Sequence, residues 1–158
     1  MGVSLQFVIG NKEEIIDAER DENYEFAIDL QSKGLAADFS LHIALDDLDY
    51  LVDVVSELRN IDSFGLIDNL DSDEFFFTSE DGGCGAYYVL PNIKDLFASL
   101  DYSNTQQIAA DWYKRLSIEY DQKIEINSDV INAIEQMITI CKKANEYPKQ
   151  DLVFIWAL

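Results

Sequence analysis

The segment 152–156, Leu-Val-Phe-Ile-Trp, is the strongest constraint on the fold, because five consecutive apolar residues leave no side suited to solvent. A strand turns successive side chains to opposite faces, so this run predicts a central strand covered on both faces. Residues 3–9 are also mostly apolar and predict a strand at the other end of the sequence. The sequence therefore predicts an α/β or α+β fold over residues 1–158 as a single globular domain: a mixed β-sheet with N- and C-terminal strands, packed against several amphipathic helices.

Helical periodicity fills much of the sequence between these strands. It is clearest after Leu45, where leucine and valine recur at three- and four-residue steps as far as Leu58. Further helices are predicted after the caps Asn11 and Ser63, from Pro91, after Ser103 or Asn104, and after Asn127 or Ser128. Residues 75–78 and 86–90 are predicted to be strands around the turn at 81–83, and residues 39–43 alternate as a strand does.

The net charge is the second constraint, because it limits the classes of molecule that the protein can bind. The chain carries 31 acids against 11 bases, a net charge of −20. Residues 34–93 hold thirteen acids and one base, or −12, against −5 before them and −3 after them. Nucleic-acid backbones and anionic membranes both require a basic surface, so neither is expected as a partner. High solubility alone does not require such concentration, which favours a basic protein as the partner.

The helix after Leu45 gives this expectation a location. Its acids fall opposite the leucine–valine stripe with Tyr50 among them, a pattern typical of either a solvated helix face or a protein-binding face. A second acidic group follows at residues 68–81. The residues predicted to contact a partner are Asp46, Asp49, Tyr50, Asp53, Glu57, Asp68, Asp71, Asp73, Glu74, Glu80 and Asp81.

Residues 69–80 also resemble a calcium-binding loop, with Asn69, Asp71 and Asp73 at its first, third and fifth positions and Glu80 at its twelfth. The sixth position, where the loop turns sharply and needs glycine, is Glu74. A solvated turn or a part of the acidic surface is the favoured interpretation, so we predict no metal site. Two cysteines and one histidine also lack the spacing of a zinc site.

Candidate catalytic residues are few. His42 is the only histidine, and Cys84 lies in a Gly-Gly-Cys-Gly segment that could expose its thiol. Such a pair could support nucleophilic catalysis, but nothing in the sequence brings the two together. We predict no catalytic residues and no cofactor. No secretory signal and no apolar run long enough to span a bilayer is present, and a reducing cytoplasm suits the two thiols best.

Three segments carry a family resemblance. The first is the opening Met1-Gly2-Val3-Ser4-Leu5-Gln6-Phe7-Val8, and the second is the helix 45–58 that runs into Ile61-Asp62 and Leu66. The third is the late helix with Lys142-Lys143-Ala144, which leads into the strand 152–155. Together they are similar to the YfbM-like family of small bacterial proteins. The resemblance implies a bacterial α/β domain. It carries over no catalytic residues and names no function.

The function predicted from these features is that of an acidic cytoplasmic inhibitor, not an enzyme, which binds and neutralises a basic protein. The partner we expect is a bacterial toxin, with nucleases as one class, delivered by secretion or cell contact, so that the chain is its immunity protein. A DNA-mimic inhibitor of a restriction or defence nuclease is the alternative. A hydrolase using Cys84 and His42 is a second alternative.

Overall fold

The computed structural model describes residues 4–62 and 76–158. The strands in these ranges are β1 (Ser4–Gly10), β2 (Ala36–Asp38), β3 (Phe76–Thr78), β4 (Cys84–Tyr88) and β5 (Asp151–Ala157). The helices there are α1 (Lys12–Arg20), α2 (Tyr24–Ser32), α3 (Asp47–Leu58), α4 (Pro91–Ala98), α5 (Thr105–Glu119) and α6 (Ser128–Ala144). A short 3-10 turn at Tyr102–Asn104 precedes α5.

The five strands form one sheet in the order β2-β1-β5-β4-β3. Each neighbouring pair is antiparallel, so the fold is α+β. This confirms the predicted α+β class and the central position of the last strand. The expectation of a mixed sheet is corrected, because β5 enters between β1 and β4 and runs opposite to both.

The sheet is buried on both faces. Alternate residues of β5 face opposite sides: Leu152, Phe154 and Trp156 belong to one buried cluster, and Val153 and Ile155 belong to another. The register repeats this division in β1, where Phe7 pairs with Phe154 and their rings lie 4.9 Å apart. The uninterrupted apolar run 152–156 is thus explained, because both faces of β5 are buried.

Helices supply both covering layers. Ile15 of α1 and Leu30 of α2 pack on one face, in the smaller cluster. Helices α3, α4, α5 and α6 pack on the other face, in the larger cluster. The result is three layers, with α1 and α2 on one side of the sheet and four helices on the opposite side.

Local sequence signals set several helix starts. The side chain of Asn11 accepts hydrogen bonds from the backbone N–H groups of Glu13 and Glu14, and Asn127 does the same for α6. Pro91 occupies the first turn of α4, where its missing N–H costs nothing. The predicted helix after Ser63 lies outside the described residues. The alternation at 39–43 does not form a strand, because β2 ends at Asp38 and His42 adopts a left-handed φ of 55°.

Candidate functional site

Four of the residues predicted to contact a partner lie on α3, and the fifth, Asp46, is the N-cap of this helix. Leu48, Leu51, Val52, Val54 and Val55 are buried in the larger cluster. Of the predicted residues, Asp46 and Glu57 are exposed, and Asp49, Tyr50 and Asp53 are half-buried. The four acids are thus at least partly accessible, whereas Tyr50 also packs against the edge of the larger cluster.

Helix α5 lies beside this acidic side, a neighbour that the sequence did not reveal. Arg115 of α5 places Nη2 2.5 Å from Oε2 of Glu57 and Nη1 3.9 Å from Oδ2 of Asp53. Ion pairs between partly exposed groups contribute little to stability. Their consequence is electrostatic: Arg115 offsets part of the charge in the C-terminal half of α3.

The N-terminal half of α3 carries a second connection to α5, built from tyrosines and carboxylates. The Tyr120 hydroxyl donates to Oδ1 of Asp47 at 2.7 Å, and this bond is the main reason that the pKa of Tyr120 is raised to about 12. A hydrogen bond to Glu119 is the main cause of the raised pKa of Tyr50. Both shifts reflect the carboxylates around the two phenols, since negative charge disfavours the phenolate.

Asp47 is the buried centre of this connection, with only 3% of its surface exposed. Its Oδ2 accepts the Ala44 N–H at 2.8 Å, and its backbone carbonyl accepts Nε1–H of Trp112 at 2.8 Å. An acid in the first turn of a helix suits the positive end of the helix dipole, and this local effect is all that the sequence around Asp47 reveals. Its bonds to α5 depend on residues that follow it by 65 and 73 positions.

Together these residues form a continuous feature of α3 and α5, which we name the α3–α5 acidic surface. It comprises Asp46, Asp49, Tyr50, Asp53, Glu57, Glu119 and Tyr120. The surface as defined holds five carboxylates and two phenols, and Tyr120 is 46% exposed. Arg115 forms ion pairs with two members of this surface, Asp53 and Glu57.

The two predicted residues of the β3–β4 turn, Glu80 and Asp81, belong to a different place. The Asp81 carboxylate accepts hydrogen bonds from Ser79 Oγ at 2.7 Å and from the Gly83 N–H at 3.0 Å, and these bonds lower its pKa. Asp81 also lines a cavity of about 290 Å³ with residues of α1, which packs on the opposite face of the sheet from α3. Glu80 is exposed in the same turn.

The remaining four predicted residues, Asp68, Asp71, Asp73 and Glu74, lie outside the described residues, as does most of the calcium-like loop. The predicted contact residues within 4–62 and 76–158 therefore form two groups: the group on α3 and the pair in the β3–β4 turn. Among the described residues, these two groups are not joined into one surface.

His42 and Cys84 line separate cavities. His42 borders a polar cleft of about 280 Å³ between the segment after β2 and the start of α6. Cys84 borders the cavity beside α1, and β1 and β5 lie between its strand and β2. The geometry does not assemble a cysteine–histidine pair.

No family model, curated protein or solved structure matches the chain, so the resemblance to the YfbM-like family stays a prediction. Within the described ranges, none of the helices combines the length and the apolar character needed to cross a membrane.

Proposed function

We propose that the protein is an acidic inhibitor, which binds a basic protein through the α3–α5 acidic surface. The observation that carries this proposal is the convergence of five carboxylates and two tyrosines from two helices. Carboxylates accelerate the encounter with a basic partner, and tyrosines are frequent anchors at the centres of protein interfaces.

The biological role we propose is that of a bacterial immunity protein, acting in the cytoplasm on a toxin delivered by secretion or cell contact. A toxin that cleaves nucleic acid needs a basic cleft for its substrate, and an acidic surface can dock there. The net charge of −20 supports this pairing.

A DNA mimic would use the same carboxylates as substitutes for phosphates. The contact of Arg115 with both Asp53 and Glu57 weakens that alternative, because a mimic gains from leaving its carboxylates available to the target. The separate cavities of His42 and Cys84 likewise weaken the hydrolase alternative.

The test begins with an affinity purification at about 50 mM and about 500 mM NaCl, because surface electrostatics is screened at the higher concentration. The baits are the wild-type protein, the double variant Asp46→Lys/Asp49→Lys, and the control Glu125→Lys/Glu146→Lys. The control makes the same change of charge at two exposed residues outside the α3–α5 acidic surface.

We expect one basic protein to be retained by the wild type and the control at low salt, and to be lost by the double variant. The captured protein is then expressed alone and with the inhibitor, and we expect growth to be restored only by co-expression of a binding-competent form. Purified, it should associate with the double variant about tenfold more slowly at low salt, with a smaller difference at high salt. Equal binding by the two charge-reversal variants would contradict the assignment of the surface.

A further inference from the structure

A second part of the molecule combines exposed apolar side chains with acids, on the face of the sheet opposite α3. Tyr24 and Ile28 of α2 are 73% and 64% exposed. They are four residues apart on one helix, so their side chains are neighbours. The inward side of α2 is buried through Leu30, so this helix is apolar on both sides.

Tyr24 also stands at the edge of the cavity described above, which we name the α1–α2 groove. Its lining includes three carboxylates, Glu19, Glu22 and Asp81, and the thiol of Cys84. Its volume of about 290 Å³ is enough for one long side chain to enter. Acids inside a groove and apolar residues at its edge thus occur together.

The carboxylates of the groove are held in place by different means. Asp81 is fixed by Ser79 and Gly83, as described above. Glu22 lies in the turn between α1 and α2, with a left-handed φ of 53°. Burial raises the pKa of Glu19, which means that its charged form has lost hydration. A cation entering the groove would compensate for that loss.

We propose that the α1–α2 groove and the adjoining Tyr24 and Ile28 form a second docking surface, which receives a basic segment of a partner protein. An arginine or lysine side chain would enter the groove among the carboxylates, and its aliphatic portion would pack on the Tyr24 ring. An apolar neighbour in the same segment would cover Ile28. Charge complementarity selects this occupant, because the acids line the groove and the apolar residues lie next to it.

This inference does not depend on the α3–α5 acidic surface, since the two lie on opposite faces of the sheet. It also accounts for Asp81, which the sequence associated with partner binding and the structure separates from α3. A partner that engages both surfaces would have to wrap around the sheet, and one that engages a single surface would leave the other available.

The probe for the test is a fluorescent peptide of alternating arginine and leucine. A peptide of alternating arginine and serine measures the part of the affinity that is due to charge alone. Backbone amide shifts in nuclear magnetic resonance report where the peptide binds. The variants are Glu19→Gln/Glu22→Gln/Asp81→Asn, which keeps the shapes of the side chains, and Tyr24→Ala/Ile28→Ala, which alters only exposed residues. The matched control is Asp95→Asn/Glu125→Gln/Glu146→Gln, three exposed acids outside the groove.

We expect the arginine–leucine peptide to shift amides of residues 18–28 and 79–84. Each groove variant should weaken binding by about tenfold, as loss of a central contact does, and the control by less than about threefold. The Asp46→Lys/Asp49→Lys variant should still bind the peptide at the groove, with a loss no larger than about threefold, which separates this inference from the proposed function. Shifts confined to α3 and α5, or equal losses in the groove variants and the control, would overturn it.

Discussion

At the scale of single residues, Gly85 shows how closely the sheet is packed. Gly85 of β4 pairs with Trp156 of β5. A Cβ atom at Gly85 would lie 2.6 Å from Nε1 of Trp156 and 2.7 Å from the carbonyl oxygen of Phe77. Real Cβ atoms do not approach other atoms this closely, so any larger residue must displace the indole or the neighbouring strand.

We therefore expect Gly85→Ala to lower the free energy of unfolding by about 1–3 kcal/mol, the usual effect of overpacking. Gly83→Ala is the control, because its Cβ would meet only the flexible Asp81 side chain, at 3.2 Å. Urea unfolding followed by circular dichroism measures both variants. Similar losses in the two would contradict the role given to Trp156.

The two cysteines differ in burial, and only one of them lies in a sequence pattern that indicates its environment. Cys141 is fully buried in α6, and burial raises its pKa to about 12. Cys84 is half-buried at the edge of the α1–α2 groove. Cys141 follows Ile134 and Ile138 at helical spacing, so a local pattern accounts for its burial, whereas the glycine-rich segment around Cys84 gives no information on the groove.

A thiol reagent that forms a coloured product should accordingly modify one cysteine per folded chain. The thiolate is the reactive form, and a buried thiol with a raised pKa supplies little of it. We expect Cys84→Ser to remove the fast reaction and Cys141→Ser to leave it intact. Two equally fast thiols in the folded protein would show that α6 opens readily.

At the scale of elements, the sequence predicted more of the fold than of the site. Periodicity located α3 and α6, and the apolar segments located β1 and β5, because each pattern reflects local burial. Helix α2 was missed since Tyr24 and Ile28 on its outer side blur the contrast with Leu30 on its inner side. Strand β2 has three residues, too few for alternation to be seen. The pairing of α3 with α5 rests on Arg115 and Tyr120, which no local pattern connects to α3.

The attachment of α3 to α5 through Asp47 yields a stability prediction. Asp47→Ala removes the acceptor of the Tyr120 hydroxyl and of the Ala44 N–H, and should cost about 2–3 kcal/mol, since hydrogen bonds to buried charged groups are strong. Tyr50→Phe, which alters a more exposed bond, should change the free energy of unfolding by less than about 0.5 kcal/mol. Chemical unfolding of the variants checks this, and a small loss in Asp47→Ala would contradict it.

Tyr120 also makes this attachment dependent on pH. Its pKa is raised from 10.0 to about 12 in the folded protein, so the native state holds the proton more tightly than the unfolded chain does. The stabilisation is therefore complete below pH 10 and is lost as the pH rises to 12. We expect wild type to lose stability more steeply than Tyr120→Phe over this interval. The pKa values of Tyr50, Tyr88 and Tyr113 are also raised, so these residues contribute to the loss of stability in both proteins. The difference between the wild type and Tyr120→Phe isolates the contribution of Tyr120.

At the scale of the whole molecule, the charge of −20 acts against the fold that carries it. Like charges repel each other more in the compact state than in the extended chain. The described ion pairs, such as that of Arg115 with Glu57, offset only part of this repulsion. The proposed partner binding and the stability of the fold therefore make opposite demands on the same carboxylates.

Salt should relieve this repulsion. Raising NaCl to about 1 M shortens the screening length to about 3 Å, and we expect a gain on the order of 1 kcal/mol, or about 2–4 °C in Tm. The variant Glu13→Gln/Glu14→Gln/Glu25→Gln neutralises three exposed acids. Because it has less repulsion to screen, added salt should raise its stability by less than that of the wild type. Thermal unfolding at several salt concentrations measures both. A Tm that falls with salt would mean that attractive ion pairs outweigh the repulsion.

The central position of β5 has a consequence for synthesis. Gln6 pairs with Ile155, and β5 joins the pair β1–β2 to the pair β3–β4. Before β5 has been synthesised, β1 and β4 each lack the strand that pairs with them in the folded sheet. Their unpaired backbone N–H and C=O groups can then pair with another chain. The five-stranded sheet can therefore be completed only after residues 151–157 have left the exit tunnel, and until then the exposed strand edges favour aggregation.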